Sequence, residues 1–261
     1  SNASAADMAS MLIPRSAYIV SPSYDWVLFL LPPVTALLLG YLIKDTWVAN
    51  NIIEFAGYEQ TLAGLLMGVF IHAHLFAVFF RSHGNPHVFE QFKSRFLFVP
   101  PILYFGMLTS NWVLISVSVL ATFWDVYHSA LQTFGFARIY DSKYGNNPAL
   151  SRRLDWWLNQ LLYAGPILAG ATMMDHFKDF GEFEELGAVF FTNIPAYMEG
   201  NQQHFAWAII SFGCFFLAFY LFSQLRLARQ GYHISPLKVY LLATTGFVSI
   251  YAFNINRLPI Y

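Results

Sequence analysis

Seven long apolar runs constrain this chain more than any other feature. They lie at residues 26–43, 60–80, 96–109, 112–137, 154–174, 205–225 and 237–255. Most approach the ~20 residues that a helix needs to cross a ~30 Å hydrocarbon core, and in lipid a helix satisfies its own backbone hydrogen bonds. The expected fold is all-α, an integral membrane bundle of about seven transmembrane helices forming a single domain over residues 1–261. Composition points the same way, with 57% apolar, 19% aromatic and 11% charged residues, far from the balance of a soluble domain. The third run is the shortest: Lys93 and Arg95 bound it, and Pro100-Pro101 interrupts it, so a short or kinked helix is expected there. Ser1-Asn2-Ala3 reads as a scar of tag removal, with Met8 or Met11 as the native start. The first apolar run reads as an anchor rather than a cleaved export signal.

Numbering the faces alternately sorts the charges. Arg15, Arg81, Lys93, Arg95, Arg138, Lys143, Arg152, Arg153, Arg226, Arg229 and Lys238 fall on one side, and only Lys44, Lys178 and Arg257 on the other. The positive-inside rule assigns the first side to the cytoplasm. The N-terminus is then cytoplasmic and the expected location a bacterial inner membrane. Acidic residues such as Glu54, Glu59, Asp175, Glu184 and Glu199 lean outward. The two longer outer loops, about 44–59 and 175–204, mix aromatic and acidic residues and are expected to lie as amphipathic helices on the outer surface. A net charge of −1 argues against nucleic acid as a partner. The lone cysteine, Cys214, excludes an intramolecular disulfide and a thiolate metal site.

Chemistry is to be sought among ionisable residues inside the membrane, where each costs free energy unless it faces a cavity, a partner or a metal. The second run carries His72 and His74 and leaves through Arg81-Ser-His-Gly-Asn-Pro-His87, which adds His83 and His87. The fourth carries Asp125 and His128. At ~1.5 Å per residue, His72 and His74 lie ~10–13 Å in from Arg81, and His128 ~15 Å in from Arg138. Asn159 and Gln160 on the fifth run lie at a similar depth, ~9–12 Å from Arg153. Three helices thus place polar groups in one layer of the cytoplasmic half.

Asp125, His128 and Gln132 follow an i, i+3, i+7 stripe on one helix face. The D-x-x-H pair resembles the Glu-x-x-His element by which carboxylate-bridged di-iron bundles present two ligands inward. It is equally compatible with a buried polar clamp, or with Asp125 holding the far nitrogen of a ligating His128. Gly64, Gly68 and His72 sit one turn apart on a small-residue face, whereas His74 points away from it. His83 and His87 flank Gly84 and Pro86, which argues for a turn rather than a regular helix. Such a turn suits either solvated interfacial histidines or the closing ligands of a metal site. His176, His204 and His233 are assigned to the surface.

With His72, His74, His83, His87 and His128 near the cytoplasmic ends of its helices, the chain resembles the histidine-rich membrane iron oxygenases: fatty-acid desaturases and hydroxylases, alkane hydroxylases and bacterial beta-carotene dioxygenases. It departs from the desaturase type in having no adjacent histidine pair. The resemblance implies a mono- or dinuclear non-haem iron centre and a lipid, hydrocarbon or isoprenoid substrate drawn from the bilayer, with an electron donor as partner. His128, one of His72 and His74, and Asp125 would form the core of the site, with His83 and His87 completing it. The imidazole and carboxylate donors themselves suit iron. Two further readings stand beside the metal-dependent oxidoreductase. One is an electron-transfer subunit with a b-type haem between His128 and His72 or His74. The other is a proton- or ion-coupled transporter using Asp125, His128 and the helix-five amides.

Overall fold

The computed structural model describes residues 13–169, 197 and 200–251. After a 3₁₀ turn at Arg15–Ala17, α1 spans Pro22–Leu30 and α2 spans Pro32–Ile43, and the two meet at a bend of 48°. The bend has two sequence causes. Pro32 and Pro33 remove two backbone donors and crowd the preceding turn, and Trp26–Leu30 is wound as a π-helix, which displaces the hydrogen-bond ladder.

A short helix α3 (Trp47–Asn50) and a two-stranded hairpin follow, β1 (Ile52–Phe55) and β2 (Tyr58–Thr61), in the register Phe55↔Tyr58 and Ile52↔Thr61. The expected amphipathic surface helix over 44–59 is therefore corrected to a hairpin. Ala56 and Gly57 both have positive φ, 54° and 83°, as a tight two-residue hairpin turn requires. The β-branched and aromatic residues around them favour strands.

The long helices are α4 (Leu62–His83), α5 (Pro86–Thr109), α6 (Asn111–Lys143), α7 (Arg152–Ala169), α8 (Gln202–Ala228) and α9 (Pro236–Ile250). Their starts are chemically marked. Thr61, Asn85, Ser110 and Ser235 each accept a hydrogen bond from the first turn, relieving backbone donors that have no intrahelical partner. Pro86 and Pro236 stand at first helical positions, where their missing N–H costs nothing. In α5 the helical geometry breaks at Phe92 (φ −122°, ψ 19°), while Pro100 and Pro101 both lie inside the helix.

Among the described residues, α4, α6 and α8 are long and apolar enough to cross a membrane, and the bent α1–α2 pair makes a fourth candidate. The sequence suggests seven, and composition explains the difference. Glu90, Lys93 and Arg95 occupy the first half of α5, and α7 opens on Arg152, Arg153 and Asp155. α9 is apolar but only 15 residues long. The apolar runs expected at 154–174 and 237–255, and most of the outer loop at 175–204, extend outside the described residues.

α7 is central, packing on α6, α8 and α9; α9 also packs on α6 and α2, while α4 packs on α5 and α5 on α6. The main core joins Tyr18, Leu30, Ala137, Tyr140, Leu158, Tyr220, Leu237 and Leu241. Outside it, large apolar side chains such as Phe70, Phe76, Phe105, Phe215 and Phe222 are exposed. Apolar exposure on that scale is unfavourable in water and suits hydrocarbon.

Candidate functional site

At the basic end of the bundle, four charged side chains from three helices meet in a buried cluster. Arg138 and Asp141 come from the last turns of α6, Asp155 from the first turn of α7, and Lys238 from the first turn of α9. Both carboxylates are fully buried, and the Arg138 and Lys238 side chains are only 11% and 4% exposed. The guanidinium of Arg138 donates through Nη1 to Asp141 at 2.8 Å and to Asp155, and through Nη2 to the carbonyl of Pro148 at 2.8 Å. The Lys238 ammonium donates to Asp155 at 2.9 Å and to the Tyr232 hydroxyl at 2.8 Å, with Asp141 Oδ1 at 3.6 Å.

Two positive and two negative charges make the cluster neutral. Neutrality alone does not offset the cost of removing charges from water; the remaining lone pairs must also find donors. They do. Asp141 accepts from the Tyr232 hydroxyl and from Asn146 Nδ2 at 3.0 Å. Asp155 accepts from the Tyr220 hydroxyl at 2.7 Å and from Ser151 at 3.4 Å. Burial, and then the hydrogen bond to Asp141, push the Tyr232 phenol well above its ordinary value, so it stays a neutral donor. Asn146 also clasps the loop before α9, donating to the His233 carbonyl at 2.6 Å and accepting from its N–H at 2.9 Å. Nearby, the buried Asp25 carboxylate accepts from the backbone N–H groups of Ile19 (2.6 Å) and Val20 (3.0 Å) and from the Tyr140 hydroxyl (3.1 Å). It ties the N-terminal segment to α6.

This cluster forms one end of a cavity of about 600 Å³ between α7, α8 and α9. Tyr220, Gln224, Tyr232 and Lys238 line it beside the cluster, and Leu158, Leu162, Leu217, Leu242 and Phe247 are among the rest of its almost wholly apolar walls. Gln224 donates one amide hydrogen to Ser151 at 2.6 Å.

The residues singled out in the sequence lie elsewhere. His72, His74, His87 and Asp125 are exposed. His72 places Nδ1 2.6 Å from the Gly68 carbonyl of its own helix. His83 ends α4 and His87 lies in the first turn of α5, with Gly84 and Asn85 between the helices. The His83 ring stacks on Phe79 at 4.5 Å, tilts against Phe96 at 4.8 Å, and lies 2.9 Å from the Ser82 hydroxyl. His128 stacks on Trp124 and lies 3.5 Å from the Gln132 amide. Asn159 donates to the Ala130 carbonyl of α6 at 2.8 Å, a backbone contact that involves neither Asp125 nor His128. The Asn159 amide oxygen and the Gln160 amide nitrogen are buried with no hydrogen-bond partner among the described residues. No three histidine, cysteine, aspartate or glutamate side chains among the described residues stand close enough to hold a metal ion.

Sequence reasoning missed the cluster because Arg138 and Lys238 count there only toward the charge of the basic side. The available signal was Asp141 and Asp155 themselves, two acids on the basic side at the ends of apolar helices. No protein-family model, curated protein or solved structure matches the chain.

Proposed function

We propose that this is a multi-pass membrane protein, its basic end in the cytoplasm, that binds an amphipathic lipid or isoprenoid entering from the bilayer between α7, α8 and α9. One observation carries the reading: a cavity of about 600 Å³ with almost wholly apolar walls lies between the three helices, its lining reaching Tyr220, Tyr232 and Lys238 of the buried ion cluster. Ligand sites are typically apolar clefts of ~300–1,000 Å³ with a few placed polar groups. The walls would take an acyl or isoprenoid chain, with a polar head at the end where Gln224 lies. Lys238 and Tyr232 are committed to Asp155 and Asp141, so their part is to keep the end of the cavity rigid and polar.

The test is lipid analysis of protein purified in mild detergent, alongside an Ala243→Phe variant. Ala243 lines the cavity, and a phenyl group there occupies ligand space. The variant is expected to retain the fold and lose at least about tenfold in affinity for a fluorescent polyene lipid, ~1.4 kcal/mol. Unchanged binding would discard the cavity as the site. Metal analysis with an absorption spectrum belongs to the same preparation. Stoichiometric iron without a Soret band would move the assignment to a non-haem oxygenase, and a strong Soret band to a haem carrier.

A further inference from the structure

A second cavity, of about 550 Å³, lies at the basic end between the start of α7 and the last turns of α8. Arg152, Arg153 and Arg226 line it, together with Phe219 and Phe222. No carboxylate belongs to its lining, and none of the three arginines has an acidic partner among the described residues. The nearest acid in sequence, Asp155, is fully buried and engaged by Arg138, Lys238 and Tyr220. Three guanidinium groups therefore share one concavity with no internal counter-ion.

Guanidinium forks match phosphate oxygens in charge and in bidentate geometry. The first turn of α7, which carries Arg152 and Arg153, adds unpaired backbone N–H groups and the positive end of the helix dipole. The apolar part of the lining decides the source of the phosphate. Phe219 and Phe222 are 52% and 66% exposed, two turns and one turn respectively from Arg226 on α8. A free anion gains nothing from two phenyl rings; an acyl chain does. We propose that this pocket binds the phosphate of an anionic phospholipid, with Arg152, Arg153 and Arg226 on the headgroup and Phe219 and Phe222 against its chains.

The experiment uses the full chain in nanodiscs of phosphatidylcholine with a minority of phosphatidylglycerol, reading the lipid retained on detergent extraction by mass spectrometry. The Arg152→Gln/Arg153→Gln/Arg226→Gln variant is expected to lose phosphatidylglycerol enrichment by about tenfold. An Arg81→Gln/Lys143→Gln/Arg229→Gln variant removes the same charge outside the pocket and should retain it. Unfolding temperatures of both variants report whether the fold survives. Should the triple arginine variant unfold, Phe219→Ser/Phe222→Ser replaces it, with loss of enrichment again expected. Equal loss in pocket and control variants would overturn the proposal in favour of general surface charge. Displacement of phosphatidylglycerol by millimolar inorganic phosphate would overturn it in favour of a free-anion site.

Discussion

Lys238→Met leaves the Asp141 and Asp155 carboxylates buried against the single charge of Arg138, because Lys238 is the second cation within 4 Å of both. Breaking a buried ion pair from one side costs about 3–5 kcal/mol, whereas removing both partners together costs far less. Lys238→Met and Asp155→Asn are therefore each expected to lower the unfolding temperature in detergent strongly. The double variant should be less destabilised than the sum of the two, with a coupling of about 0.5–3 kcal/mol. Strict additivity in that cycle would show that the two groups do not share a network. The same residues explain the limits of the sequence. An arginine and a lysine next to loops satisfy the positive-inside pattern whether they lie in water or fold back onto a carboxylate, so composition cannot separate the two. Only the Arg138-x-x-Asp141 spacing hints at a partner, and it says nothing of Asp155 or Lys238, which arrive from other helices. The histidines were conspicuous for the opposite reason, since their cost inside a membrane is visible in the sequence while their burial is not.

Helix crossings depend on what stands between the axes, and α7 and α9 cross at Gly246, where an added Cβ would lie 2.9 Å from Leu162 Cδ2. Leu162 can yield a little to a methyl group, but a branched side chain cannot be cleared without parting the helices. Gly246→Val is expected to destabilise by about 1–3 kcal/mol through overpacking and to disturb the neighbouring cavity. At Gly135, on α6, an added Cβ meets nothing within 4 Å, and Gly135→Ala should gain up to about 1 kcal/mol of helix propensity. Thermal unfolding of the pair checks both signs, and equal shifts would refute close packing at Gly246. Apolar length located α4 and α8 from the sequence to within three residues at each end and α6 to within six, since each long run has little choice of structure. Two short features escaped. The hairpin was hidden because its strands are four residues each and its turn has Ala56 where asparagine or aspartate is the usual signal. The break in α5 falls at Phe92 and not at its prolines, so the sequence signal for a kink at Pro100-Pro101 pointed to the right helix and the wrong turn.

At the scale of the whole molecule, one end gathers the 3₁₀ turn at Arg15, the end of α6 with Arg138 and Lys143, the start of α7 and the start of α9. The Ile19 and Val20 hydrogen bonds to Asp25, and that of Tyr140 to the same carboxylate, fix the N-terminal segment to this end. The β-hairpin lies at the start of α4 and Arg81 near its finish, so Tyr58 and Arg81 stand at opposite ends of a helix long and apolar enough to cross a membrane. If the basic end is cytoplasmic, a cysteine at Lys143 must be shielded from a membrane-impermeant maleimide in intact cells, and one at Tyr58 must react. The native Cys214 is exposed within α8, so the labelling is done in a Cys214→Ala background. Both engineered sites are exposed, and permeabilised cells should label both, which shows that neither is occluded by the fold. Labelling of Lys143→Cys but not of Tyr58→Cys in intact cells would invert the orientation, placing the arginine pocket and the polar end of the lipid cavity on the outer face. Labelling of both in intact cells would put Tyr58 and Lys143 on one side and so require an even number of crossings among α4, α5 and α6.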